Sequence, residues 1–430
     1  MLGLTNWLEH VYVDGLHGSI DIDVSFNPGI NIIYGDNGVG KTTLLHIISN
    51  IANFDFERFN YLKFSFISFT MSNGDRIDLL KRDGSSVPQV MVNQRRLSVS
   101  DDSPRGSEVE RELFSQLFGK SPVYIPAFRN VLQKIDERSS GRWNALVDLN
   151  LIRGLGARSD GEQTVDAKTA QCRSWFGDFV PTIRFPSVEE VEQELETYWS
   201  RADSAARREE SKMISEATNK ILADLLGSEP ESMKNLIERI LQSAPDHLTE
   251  KEYMAEDFSR AIANAGRKNS SKEIDPNSLA AIYIDALIKA QAKQKSLFYK
   301  ANRFVESMNE FLLPSREFQV SGEYSGKGKP RINFRNSDRP GYGVGGLSSG
   351  ERQLLTLLYS AWTQPGESNL MLVDEPEISL HIDWQRQILT EMHKQSKQQI
   401  IACTHAPEVA ADIEEGYQVF ERISRFGKNE

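Results

Sequence analysis

The chain has 430 residues, of which 39% are hydrophobic, 9% aromatic and 26% charged, with 61 acidic against 50 basic side chains and a formal net charge of −11. That length exceeds the usual domain of about 100–200 residues, the composition excludes a disordered or fibrous chain, and the acidic balance excludes a general nucleic-acid coat. No window reaches the roughly 18 apolar residues of a membrane span and no basic leader opens the chain. Two distant cysteines, Cys172 and Cys403, make neither a disulfide framework nor a cysteine-only zinc site, so a reduced, cytoplasmic location is expected.

The first predicted element alternates, with Ile20, Ile22, Val24 and Phe26 on one face and Asp21, Asp23 and Ser25 on the other, up to the turn Pro28-Gly29. This is the pattern of an exposed antiparallel strand. Ile30-Asn31-Ile32-Ile33-Tyr34 is β-branched and continuous, as in a buried parallel strand, and runs through a glycine loop into the helical Thr42–Ile48. Residues 61–95 predict further β structure with turns at Ser72-Asn73-Gly74 and Arg82-Asp83-Gly84, and Val123-Tyr124-Ile125 predicts another buried strand.

From 131 to 314 polar residues and helical spacing take over, which predicts a largely helical insertion between the lobes 1–130 and 315–430. Ser187-Val188-Glu189-Glu190 reads as a capping box. Asp275-Pro276 opens a helix whose apolar positions, from Ile282 through Ala286, Ala290, Leu297, Ala301, Phe304 and Met308 to Phe311, recur at three or four. The heptad is not sustained, so an amphipathic bundle is expected rather than a coiled-coil arm. Strands at Phe318–Val320 and Ile332–Phe334 follow. Then a loop with Gly341, Gly343, Gly345 and Gly346 leads to a helix, a strand at Asn369–Val373, a second helix and a strand at Gln399–Cys403. The order is that of an α/β fold.

Four segments carry chemistry. Gly35-Asp36-Asn37-Gly38-Val39-Gly40-Lys41-Thr42 matches the P-loop pattern, whose glycines let backbone N–H groups face phosphate oxygens, with Lys41 as a charge on a solvent-facing loop and the Thr42 hydroxyl as a Mg2+ ligand. Leu372-Val373-Asp374-Glu375-Pro376 ends an apolar strand in two carboxylates. Asp374 suits Mg2+ and Glu375 suits the activation of water, although two acids at a strand end also make an ordinary solvated turn. Gly346-Leu347-Ser348-Ser349-Gly350-Glu351 is an anion site by the helix-dipole argument, or a simple capping box. Cys403-Thr404-His405 ends a β run where a histidine can reach phosphate or serve only the fold.

The four segments in this order resemble the ABC-type ATPase heads of the SMC, RecF and OLD group. The resemblance implies an α/β head, a mixed sheet with helices, interrupted by the helical insertion. It also implies ATP held by Gly35, Asp36, Asn37, Gly38, Val39, Gly40, Lys41, Thr42 and Thr43, with Mg2+ at Thr42 and Asp374. Leu347, Ser348, Ser349, Gly350 and Glu351 would form the signature that reaches across a dimer, Glu375 the catalytic base, His405 the switch histidine and Ile378-Ser379-Leu380-His381 the D-loop. Asp374 to His381 is similar to the D-loop string of OLD-like ATPases. For the Q-loop the candidates are Gln89 and Gln94.

With 25 residues after His405, no nuclease domain of the OLD kind is expected. A head with a helical insert is similar to the ATPase subunits of two-component anti-phage systems, PtuA of Septu and AriA of PARIS, which implies a homo-oligomer working with a separate HNH or Toprim nuclease. A RecF/SMC-like repair ATPase and an ATP-gated scaffold with little turnover are the alternatives. Two basic groups, Arg129 with Lys134, Arg138 and Arg142, and Lys327 with Lys329, Arg331, Arg335 and Arg339, could track DNA or RNA or simply be solvated loops.

Overall fold

The computed structural model describes residues 6–81, 87–100, 103, 106–119, 122–129, 160–226, 276–321, 331–336, 339–363, 369–413, 417–419 and 423–424. In chain order the elements are β1 (Leu8–Leu16), β2 (Ile20–Ser25), β3 (Ile30–Tyr34), α1 (Lys41–Ala52), β4 (Phe66–Met71), β5 (Arg76–Leu80), β6 (Gln89–Val92), β7 (Arg95–Arg96), α2 (Glu108–Phe118) and β8 (Val123–Ile125). They continue with α3 (Asp160–Phe176), α4 (Val188–Leu226), α5 (Pro276–Leu312), β9 (Glu317–Ser321), β10 (Arg331–Asn336), β11 (Arg339–Tyr342), α6 (Ser349–Thr363), β12 (Leu370–Asp374), α7 (Ile382–Ser396), β13 (Gln399–Thr404), β14 (Tyr417–Val419) and β15 (Ile423–Ser424).

The chain divides into two compact units. One comprises Met1–Glu192, Ser307–Arg316 and Tyr342–Glu430, the other Gln193–Glu306 and Glu317–Gly341. The first holds two sheets. Its five-stranded sheet has the order β14-β3-β13-β12-β8 and every pairing in it is parallel. The register sets Val373 beside Ile125, Asp374 beside Cys403, and Thr404 beside Tyr34, so the carboxyl ends of β3, β8, β12 and β13 share one edge. In open parallel sheets that edge is where ligands bind. The strand centres are apolar, as expected of a sheet covered by helices, and β12 and β13 are buried over their full length, their end residues Asp374, Gln399 and Thr404 included. Helix α1 buries Leu44, Leu45, Ile47, Ile48 and Ile51 at 0–1% exposure, each worth about 1.5–3 kcal/mol of transfer free energy.

The seven-stranded sheet has the order β15-β2-β1-β4-β5-β6-β7. As expected, β2 is antiparallel to its neighbour and buries Ile20, Ile22 and Val24 on one face. Its partner β1 was not anticipated, because its register shifts between Leu8 and His10 and between Val13 and Leu16 and so breaks the period of two. The turn at Ser72–Gly74 joins β4 to β5, while Arg82-Asp83-Gly84 lies outside the described residues. Phe54, Phe56 and Phe114 form edge-on ring contacts of 4.9–5.6 Å that hold α2 to the head.

Helix α3 and the first residues of α4 sit with the head, not with the helical unit. Arg173 Nη2 meets Asp55 Oδ2 at 3.0 Å, and Asn50 Nδ2 donates to Phe179 O at 2.9 Å. The expected capping box forms: Ser187 N donates to Glu190 Oε2 at 2.8 Å and Glu190 N donates to Ser187 Oγ at 3.1 Å. The second unit contains most of α4 and α5, helices of 39 and 37 residues, and the sheet β11-β10-β9. In this unit Ala286, Ala290, Ala301 and Phe304 are buried, and Phe304 packs edge-on against Phe318 at 5.8 Å. The helical unit thus spans Gln193–Glu306 with Glu317–Gly341, whereas the sequence reading put the insertion at 131–314.

Among the described residues no helix is long and apolar enough to cross a membrane. Both cysteines are free and buried.

Candidate active site

The loop from Gly35 to Gly40 leaves β3 and turns directly into α1. Gly38 and Gly40 have φ of 83° and 101°, left-handed values that glycine adopts without strain, and Gly40 caps α1 with no side-chain hydrogen bond. The first N–H groups of α1 therefore lack a side-chain cap, which leaves them to an anion. Asp36, Asn37, Gly38 and Thr42 are exposed around them. Lys41 departs from the expected solvent-facing position. It is 6% exposed, and its Nζ donates to Gly35 O at 2.6 Å and Asp36 O at 2.9 Å. A long stem lying over the apolar core lets its head reach two loop carbonyls.

Thr42 Oγ1 donates to Asp374 Oδ2 at 2.9 Å, joining positions 332 residues apart. Asp374 is 2% exposed and its Oδ1 has no hydrogen-bond partner. Burial pushes its carboxyl up to about 7, with the Glu375 charge adding to the rise, against the Thr42 hydrogen bond and the Arg129 and Lys41 charges. A buried carboxylate with one orphaned oxygen, beside an exposed hydroxyl, is a pair of hard oxygen donors that fits a divalent cation such as Mg2+.

Glu375 follows at φ 48°, a left-handed conformation uncommon outside glycine. Its N donates to Cys403 O at 2.8 Å, and its Oε1 lies 3.2 Å from His405 Nδ1. The same Nδ1 is 3.6 Å from Glu377 Oε1, which accepts the Thr404 hydroxyl at 2.6 Å. Glu377 is nearly buried and was not singled out from the sequence, because an acid two residues past a strand end looks like any solvated turn residue.

The segment Leu347–Glu351, expected from the sequence to be the signature, is split in its exposure. Leu347 and Glu351 are buried, while Ser348 and Ser349 are exposed. The capping box is real: Ser348 N donates to Glu351 Oε2 at 2.8 Å, Ser348 Oγ donates to the same oxygen at 2.7 Å, and Glu351 N donates back at 3.4 Å. Arg316 pairs with Glu351 and lies over the Tyr342 ring at 5.8 Å. A Cβ on Gly350 would come 2.7 Å from Ser379 O, so only glycine allows the helix start to meet the Ile378–His381 segment this closely.

Arg129 corrects a sequence expectation. Read as part of a basic surface group, it is 0% exposed. Its Nε donates to Gln353 Oε1 at 2.6 Å, Nη1 to Pro126 O at 3.1 Å and Asp374 O at 2.9 Å, and Nη2 to Glu375 O at 2.8 Å and Pro376 O at 3.2 Å. Burial lowers it to about 10, opposed by the nearby Glu377, Asp374 and Glu375 charges, so it stays protonated near neutral pH. Lys134, Arg138, Arg142, Lys327 and Lys329 lie outside the described residues, whereas Arg331 and Arg335 are exposed. Gln89 on β6 and Gln94 on the β6–β7 turn belong to the antiparallel sheet, not to the parallel sheet carrying the loop.

Residues 246–411 match the sequence model of the family described as "AAA domain, putative AbiEii toxin, Type IV TA system". Over that span the chain is similar to the ATPase domain that this family model describes. The matched span includes Leu347–Glu351, Asp374, Glu375 and His405, and the glycine loop lies before it. A 44-residue segment is 41% identical to the Septu protein PtuA of Bacillus thuringiensis and spans 10% of this chain and 11% of that protein. Among solved structures the fold is similar to the Pyrococcus furiosus Smc head domain with an extended coiled coil bound to the C-terminal domain of ScpA. There the identity is 13%, coverage is 95% of this chain and 92% of that one, and the TM-score is 0.38. The SmcHead bound to the C-winged helix domain of ScpA is similar at 12% identity, with 94% and 92% coverage and a TM-score of 0.41.

Proposed function

We propose that this chain binds and hydrolyses ATP at the loop of Gly35 to Thr43, dimerises head to head, and controls a separate nuclease in anti-phage defence. The observation that carries the ATPase reading is the Thr42–Asp374 hydrogen bond of 2.9 Å with the orphaned Asp374 Oδ1 beside it, at the edge where the glycine loop and the Glu375–His405 pair meet.

In this reading the N–H groups at the start of α1 receive the phosphates, and Lys41 exchanges the carbonyls of Gly35 and Asp36 for phosphate oxygens. Thr42 and Asp374 hold Mg2+, which when bound neutralises charge on the phosphates. Glu375 takes the proton of the attacking water, and His405, 3.2 Å away, orients that carboxylate and the water. The exposed Ser348 and Ser349, with the N-terminus of α6 behind them, reach the nucleotide of a second head.

The defence role is supported by the short likeness to the Septu protein PtuA and by the resemblance of a head with a helical insert to the ATPase subunits of such systems. The helical unit, larger than ATP binding requires, supplies surfaces for a homo-oligomer or for the nuclease. The test is to measure phosphate release by the purified chain, and phage protection by the chain expressed with and without the protein encoded beside it. Mg2+-dependent turnover, protection that requires the partner and co-purification of a nuclease are the expected results. Turnover with full protection by the chain alone would favour a repair-type ATPase. Assembly that responds to ATP without turnover would favour a nucleotide-gated scaffold.

A further inference from the structure

Arg129 uses all five of its N–H donors inside the protein: one on the Gln353 side chain, and four on the carbonyls of Pro126, Asp374, Glu375 and Pro376. Three of those carbonyls belong to consecutive residues of the turn that carries Glu375 at φ 48°. A turn held at a left-handed φ on a side-chain-bearing residue persists when its surroundings over-determine it. The fork supplies that constraint from the end of β8, a neighbouring strand in the same sheet. Gln353, the other partner, is 0% exposed in the first turns of α6, two residues past Glu351.

We propose that Arg129 is a positioning residue: its guanidinium holds the Asp374–Pro376 turn so that Glu375 presents its carboxylate beside His405, and through Gln353 it ties that turn to the helix of the signature segment. This rests on the proposed function, in which Glu375 serves the nucleotide of its own chain and the signature serves that of a partner head. One side chain then touches both halves of the machinery, so engagement of α6 by the partner's nucleotide is felt at Glu375. Occupancy of one site of a dimer therefore raises turnover at the other, above the basal rate that a single intact site supports alone.

The experiment uses the full chain and measures Mg-ATP affinity, kcat, the Hill coefficient of turnover against ATP concentration, and thermal melting. Arg129→Lys keeps the charge but presents three donors from one point, so it cannot bridge three consecutive carbonyls and Gln353. It should reduce kcat about a hundred-fold, the loss that a misplacement near 1 Å can cause, with ATP affinity held within about two-fold. Gln353→Ala should leave each turn in place and lower the Hill coefficient towards one, and Gln353→Glu should recover cooperativity lost in Gln353→Ala. A folded Arg129→Lys protein with wild-type kcat overturns the inference, as does one that loses affinity and kcat by equal factors. Should Arg129→Lys fail to fold, an unchanged Hill coefficient in Gln353→Ala overturns the coupling. Absence of nucleotide binding by the wild-type chain sinks the ATPase reading itself, whereas wild-type turnover with unaffected variants sinks this inference alone.

Discussion

His405 Nδ1 lies 3.2 Å from Glu375 Oε1, placing an imidazole at the end of β13 against a carboxylate just past the end of β12. Glu375 keeps about a quarter of its side-chain surface open and His405 about half, so the pair borders solvent where a water can enter. Glu375→Gln preserves the shape and removes the proton acceptor. Turnover should fall by about 10²–10⁴-fold, the usual worth of a positioned base, while ATP stays bound and head dimers accumulate. Phosphate release and size-exclusion chromatography with ATP check this, and near wild-type turnover would show that Glu375 is not the base.

Lys41→Ala removes the Nζ that rests on Gly35 O and Asp36 O. Hydrogen bonds from a charged group are worth about 1.5–3 kcal/mol, so ATP affinity should drop roughly ten- to a hundred-fold or more. Because the side chain is buried, a lower melting temperature without nucleotide should accompany the loss. Lys41→Met, which retains most of the stem, separates the two effects: affinity falls equally and melting falls less. Equal ATP affinity in wild type and both variants would remove Lys41 from the site.

The parts of the site that could be read directly are short and chemically loud. A glycine loop between a β-branched run and a helix, or Asp374-Glu375 at the end of an apolar run, carries its meaning within about eight residues. Arg129 has no such local signature: three of its four carbonyl partners lie 245–247 residues away and its glutamine partner 224 residues away, so its neighbours in sequence made it look like a surface cation. Lys41 was misplaced for a related reason, since a residue pattern says which groups can meet phosphate but not where they rest without it. In the fold, regular alternation revealed β2 and continuous apolar runs revealed β3, β12 and β13. The bulges in β1 hid a strand that pairs with both β2 and β4. Helix α2 was missed as well, because only Phe114, Leu117 and Phe118 of its eleven residues are buried. The edge of the helical insertion moved because Arg173–Asp55 and Asn50–Phe179 are contacts between distant positions.

Glu110 gives the head a pH signature. Burial opposes its ionisation, yet hydrogen bonds from the Ser107 and Ser98 N–H groups and hydroxyls hold its carboxyl down at about 2. Ser107 N and Ser98 N lie 2.8 and 2.6 Å from its oxygens, closing the cap of α2 and fixing the strand-end loop to it. A depressed carboxyl contributes stability above its unfolded value near 4.3, and that contribution disappears as pH falls towards the folded value of about 2. Glu110→Gln should therefore lower the melting temperature at pH 7, and the difference from wild type should shrink as the pH falls from about 4 towards 2. A difference that stays constant across that range would show that the charged form of Glu110 contributes nothing.

Whether the signature acts across two heads can be decided by complementation between inactive subunits. Gly350→Asp is a poor tool, because a Cβ at Gly350 would stand 2.7 Å from Ser379 O and push the D-loop of its own chain. Ser349 is exposed at the first residue of α6, where an acidic side chain suits the helix dipole and leaves the fold undisturbed. Ser349→Glu should thus abolish turnover by repelling phosphate while melting like wild type. Mixed with Lys41→Ala subunits, it forms hybrid dimers in which one nucleotide meets an intact loop on one chain and an intact signature on the other. Activity should return on mixing two preparations that are each inactive alone. If the signature serves its own chain's nucleotide, every site in every dimer keeps one damaged half and the mixture stays silent, which would refute the head-to-head arrangement.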